Sequence, residues 1–91
     1  MTALLEKTVQ IRNQRGLHAR AAARFVNLVE RLKADVTVTK DNTSVTGSSI
    51  MGLLMLSASL NTQIRIIVKG ANAEQALQEL VSLVERRFDE E

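Results

Sequence analysis

The chain has no cysteine, tryptophan or tyrosine, a single histidine, and only two aromatic residues, Phe25 and Phe88. Without cysteine it can build neither a disulfide framework nor a thiolate metal site, which fits a reducing compartment. Without tyrosine or tryptophan it lacks the stacking platforms on which single-stranded bases are usually read. Charge of one sign is also lacking: twelve basic against ten acidic residues give a formal +2, too close to neutral for a strong electrostatic case for nucleic acid. No stretch approaches the ~20 apolar residues of a membrane span. Met1 to Lys7 has no long apolar run of the kind a secretory signal carries, so a cytoplasmic location and no membrane partner are expected. At 91 residues the chain is expected to form one domain, 1–91, burying about 65% of its unfolded surface in one core. No internal repeat, low-complexity tract or linker is evident.

The remaining pattern alternates between two periods. Thr8-Val9-Gln10-Ile11-Arg12 alternates polar and apolar residues and predicts a strand, with Leu5 as a possible extension. After the Asn13-Gln14-Arg15-Gly16 loop the spacing becomes helical from His18 or Ala19, with Ala22, Phe25, Val29 and Leu32 on one stripe and Leu28 beside them. Asp35 to Lys40 alternates again, the Asp41-Asn42 pair marks a turn, and Ser44-Val45-Thr46 begins a returning strand. Gly47-Ser48-Ser49 breaks that strand and caps a short apolar helix, Ile50 to Leu56, with Ser48 and Ser49 competing for the cap.

Thr62 to Lys69 is the clearest strand, with Ile64, Ile66 and Val68 on one face. Asn72 is the expected cap of a last helix that places Ala73, Ala76, Leu77, Leu80, Val84 and Phe88 on one stripe. The acidic tail, Asp89-Glu90-Glu91, is expected to fray. The order strand, helix, strand, strand, helix, strand, helix predicts an α+β open-faced sandwich: a four-stranded antiparallel sheet covered on one face by three helices.

His18 is the candidate functional residue. In Gly16-Leu17-His18-Ala19-Arg20 it falls at the predicted start of a helix, where the unpaired N–H groups of the first turn favour an anion. Arg20 offers a forked donor suited to phosphate oxygens. Taken by residue type alone, a lone histidine is more often an idle surface group; its position at the helix start beside Arg20 is what singles it out.

With the His18 segment in register with Ser49-Ile50-Met51-Gly52 and with this element order, the chain resembles the histidine-containing phosphocarrier (HPr) family of the bacterial phosphotransferase system, nearly end to end. Gly52-Leu53-Leu54-Met55-Leu56 and the ending Phe88-Asp89-Glu90-Glu91 are similar to the nitrogen-branch relative, whereas Ser49-Ile50-Met51-Gly52 is similar to the sugar-branch carrier. One position departs from the familiar motif. Ala21 stands where proline usually follows the arginine, and there is no proline anywhere in the chain. Alanine is a strong helix former and adds an N–H near any bound phosphate.

The resemblance implies that His18 takes a phosphoryl group on Nδ1 from enzyme I and passes it to an enzyme IIA-type domain, with Arg20 balancing charge. It implies a stoichiometric carrier, with neither cofactor nor ligated metal. A phosphoramidate stays reactive enough to be handed on, and an exposed site that holds it modestly keeps the transfer reversible. Ser49 corresponds to a serine that a dedicated kinase, and a matching phosphorylase, act on in some lineages; its structural reading is an ordinary helix cap. Ile50, Met51, Leu54 and Met55 are candidate partner contacts, with Ile50 and Met51 expected to face outward and Leu53 and Leu56 inward. Arg15 and Arg24 are either steering charges for acidic partners or plain solvated surface.

Two other classes fit the sequence less well. The element order also describes RNA-recognition folds, but those need aromatics on the middle strands, where this chain has Val36, Val38, Ile64, Ile66 and Val68. A regulatory relative acting through partner binding, in nitrogen-branch signalling, would not need His18 with Arg20. A conventional enzyme is disfavoured because no second titratable group is evident to work with His18. A monomer that shows one face to successive partners is expected.

Overall fold

A computed structural model of the protein describes residues 4–90. The strands are β1 (Leu4–Gln10), β2 (Asp35–Lys40), β3 (Thr43–Thr46) and β4 (Gln63–Lys69); the helices are α1 (Ala19–Leu32), α2 (Ile50–Met55) and α3 (Ala73–Glu85), followed by a 3-10 turn at Arg87–Asp89. The sheet runs β1-β4-β2-β3 with every neighbouring pair antiparallel. This is the expected open-faced sandwich. No helix among the described residues is long and apolar enough to cross a membrane.

Alternation explains the strands. Val36 and Val38 on β2 and Ile64, Ile66 and Val68 on β4 point into the core and are almost wholly buried, while Gln63, Arg65 and Lys69 face out. Register follows: Val38 sits opposite Ile66, and Val36 opposite Val68, so buried partners stack across the two central strands. The helices lay their apolar stripes on this face. α3 packs on β1 and β4 through Ala73, Ala76, Leu80, Val81, Leu83 and Val84, and α1 contributes Ala22, Phe25, Leu28 and Val29. α2 reaches β3 closely, for a Cβ on Gly52 would meet the Cβ of Val45 at 3.1 Å.

Four expectations need correction. β1 begins at Leu4 and ends at Gln10, earlier than the alternation of Val9 and Ile11 suggested. Ile11 is fully buried beyond the strand because its N–H donates to the Thr62 carbonyl and its own carbonyl accepts from Asn61. Asn72 does not cap α3 with its side chain; its Nδ2 donates instead to the Leu32 carbonyl at 2.8 Å, closing the end of α1. α3 stops at Glu85, so Phe88 is not on its stripe but reaches the core from the 3-10 turn, wholly buried. The tail, finally, is not frayed as far as Glu90, and Glu91 lies outside the described residues.

Candidate functional site

The loop entering α1 is shaped by two polar contacts and one glycine. Asn13 and Gly16 close a turn, with Gly16 N–H donating to the Asn13 carbonyl at 3.1 Å and Asn13 Nδ2 donating back to the Gly16 carbonyl at 2.7 Å. Gly16 has φ +65, and a Cβ there would stand 2.4 Å from the Ala58 carbonyl oxygen, so only glycine fits. Leu17 N–H then donates to that same carbonyl at 2.8 Å, which ties the start of α1 to the segment just after α2. The two motifs are thereby held together by main chain.

His18 is the N-cap of α1, extended in backbone, with its carbonyl accepting from Ala22 N–H at 2.8 Å. Its side chain makes no capping bond. The ring is therefore released from the helix and is about one-fifth exposed. Its Nε2 lies 2.5 Å from Glu90 Oε2. Among the described residues no hydrogen bond engages Nδ1. Arg20 is exposed in the first turn, and Ala21 is buried, with the helix unbroken across both.

The second titratable group that the sequence did not reveal is Glu90. Its Oε1 accepts from Asn13 Nδ2 at 2.8 Å while Oε2 meets His18, so the carboxylate bridges the loop and the ring. Burial by itself would raise this carboxyl. The hydrogen bonds from Asn13 and His18, with the charges of His18 and Arg24, outweigh that effect and hold it below its ordinary value. The tail is brought there by a turn: Arg87, Phe88 and Asp89 all have positive φ, Phe88 anchors in the core, and Arg24 donates to the Phe88 carbonyl. Arg86 closes the turn on its outer side with a 2.9 Å bond to Asp89, and each group pulls the other toward its charged form.

Arg24 fastens the tail through the Phe88 carbonyl. Arg15, Arg20 and Arg24 meet Gln14, Asp89 and Glu90 around one open, shallow groove. No group of three or more His, Asp or Glu side chains among the described residues is placed to hold a metal ion.

On α2, Ser49 is the N-cap, its Oγ accepting from Gly52 N–H at 3.0 Å; Ser48 instead bonds Thr46. Ile50, Met51 and Met55 are exposed, the methionines at 69% and 73%, and Leu54 is half-buried; Leu53 and Leu56 are in the core. A six-residue helix has few bonds of its own, so its cap counts. Ser49→Ala is expected to cost about 1 kcal/mol, read as a lower midpoint in urea with an unchanged slope.

Asn13 and Glu90 carried no signal of this bridge. An asparagine three residues ahead of a glycine announces a turn and nothing about a partner far along the chain. A terminal acidic run looks like solvated tail.

The fold is that of phosphocarrier proteins, as comparison with known proteins shows. A family model described as "PTS HPr component phosphorylation site" matches residues 5–86, stopping short of Glu90. The phosphocarrier protein HPr of Neisseria meningitidis is 39% identical over 87 residues, covering 96% of this chain and 98% of that one. The phosphocarrier protein NPr of Shewanella violacea is 37% identical over 86 residues, 94% of each. The crystal structure of HPr from Thermoanaerobacter tengcongensis superposes with a TM-score of 0.90 at 39% identity, covering 96% of this chain and 98% of that one. The chain belongs to the HPr family of phosphocarrier proteins of the phosphotransferase system.

Proposed function

We propose that this protein is a one-domain, monomeric cytoplasmic carrier that accepts a phosphoryl group from enzyme I on His18 Nδ1 and delivers it to an enzyme IIA-type domain. The observation that carries the reading is the state of the ring: partly exposed at the N-cap of α1, bonded only through Nε2, with Nδ1 uncommitted. Attack by Nδ1 builds negative charge near the start of α1, where first-turn N–H groups and Arg20 favour it. The shallow groove suits a carrier, since a phosphate held deeply would be slow to leave.

The same reading gives Ser49 a regulatory role. A phosphate on Oγ would stay near the start of α2 yet place about two negative charges beside the exposed Met51 and Met55, the apolar face offered to partners together with Ile50 and Leu54. Transfer would fall without unfolding. Both branches of the system have relatives of similar identity, so the relative charging rates by a sugar-branch and a nitrogen-branch enzyme I assign the route. An alternative is a regulatory role in nitrogen-branch signalling through partner binding alone, which predicts binding without turnover of label.

The deciding experiment supplies enzyme I and labelled phosphoenolpyruvate and follows the label. The expected product is acid-labile and base-stable, and it leaves when an enzyme IIA-type domain is added. No incorporation from a competent enzyme I would sink the proposal.

A further inference from the structure

We infer that Glu90 is a positioning residue for the His18 transfer, holding the ring proton on Nε2 so that Nδ1 presents its lone pair to phosphorus. This rests on the carrier reading of His18 and adds to it a group from the chain's last residues, beyond the segment matched by the family model.

The geometry is a relay of three side chains. Asn13 is buried, and its Nδ2 donates both to the Gly16 carbonyl and to Glu90 Oε1. Those bonds fix the carboxylate from behind. Its other oxygen, Oε2, can only accept, so the imidazole nitrogen facing it at 2.5 Å carries the hydrogen. A neutral imidazole has one N–H, and placing it on Nε2 leaves Nδ1 as the base. Glu90 thus does for this ring what a buried carboxylate does for the histidine of a hydrolase triad: it selects a tautomer and offsets charge formed on the ring.

The transfer then needs no proton movement. The Nδ1 lone pair forms a bond to the phosphorus of the donor's phosphoryl group, the bond to the donor breaks, and its electron pair leaves with the donor. The ring becomes a cation that still bears the Nε2 hydrogen, facing the Glu90 carboxylate. When the acceptor's nucleophile attacks, the P–Nδ1 bond breaks, its electrons return to Nδ1, and the ring departs as neutral imidazole. A carboxylate beside Nε2 offsets the charge formed on loading and keeps the Nε2 hydrogen in place, so that on unloading the ring can depart as neutral imidazole.

An isosteric change gives a sharp test. After Glu90→Gln, the amide oxygen is drawn to the Asn13 Nδ2–H and the amide NH2 faces His18, so the ring must accept at Nε2 and carry its hydrogen on Nδ1. Glu90→Ala only removes the preference. The full-length protein, labelled with nitrogen-15 in the histidine ring, is examined above the range in which imidazole is charged, and the loading rate with enzyme I and phosphoenolpyruvate is measured in parallel. The wild type is expected to be almost wholly the Nε2–H form, the alanine variant a mixture, and the glutamine variant shifted toward Nδ1–H. Loading should slow a few-fold for Glu90→Ala and roughly tenfold or more for Glu90→Gln, the closer mimic being the worse carrier. A purely structural tail would give the opposite ranking. Ring spectra and loading rates that match the wild type in both variants overturn the inference while leaving the carrier reading intact. A wild-type ring in the Nε2–H form that takes no label from a competent enzyme I overturns the carrier reading, and this role with it.

Discussion

His18→Ala is expected to take no phosphoryl group from enzyme I while folding as the wild type does. The two halves of that statement come from different atoms. Acceptance needs an imidazole nitrogen, and His18 is the only histidine in the chain, so no neighbour can substitute. Folding uses the backbone of residue 18: the carbonyl accepts from Ala22, and the side chain makes no capping bond. What the mutation removes from stability is the bond to Glu90, which lies in a partly exposed site. A loss of about 1 kcal/mol is expected, or a fall of about 4–8 °C in Tm for a domain of this size. Label counting after a fixed exposure to enzyme I, beside a thermal melt, checks both. Acid-labile label on His18→Ala would mean the acceptor is another residue.

Local periodicity carried most of the fold because the elements obey local rules. Val36 and Val38, or Ile64, Ile66 and Val68, alternate because a strand shows its faces alternately, and the stripe from Ala22 to Val29 repeats as a helix does. The placement of His18 at a helix start was legible for the same reason. Its partner was not. Glu90 is 72 residues away in sequence, and the chain turns back to reach the site through Arg87, Phe88 and Asp89, all in the left-handed region. Glycine ordinarily announces such a conformation, and none stands there. With three ordinary side chains in its place, the turn looks in sequence like the last turn of α3, and Phe88 falls in register with that helix's stripe although it reaches the core from the 3-10 turn. Asn72 misled in a related way: a good cap residue in a cap position spends its amide on the end of another helix.

That turn is unfavourable locally, at about 1–2 kcal/mol for each non-glycine residue in the left-handed region, so something non-local must hold it. Phe88 is the candidate: its ring is wholly buried, and its carbonyl is the acceptor for Arg24. Phe88→Ala is therefore expected to lose about 3–5 kcal/mol, a large part of the roughly 5–14 kcal/mol that holds a domain of this size. Phe88→Leu, which keeps more of the volume, should lose clearly less. Urea unfolding gives both values from the shift in midpoint. The second consequence separates anchoring from simple destabilisation. In the fraction of Phe88→Ala that remains folded at low temperature, the tail has lost its seat, so Glu90 should leave His18 and the ring should show the same mixture of tautomers as Glu90→Ala. Glu90→Ala itself should lose only about 1–2 kcal/mol, clearly less than Phe88→Ala, because its side chain bonds the ring and Asn13 but fills no part of the core. A Phe88→Ala protein with wild-type stability, or one that is destabilised yet keeps a pure Nε2–H ring, would show that the tail reaches the site without this anchor.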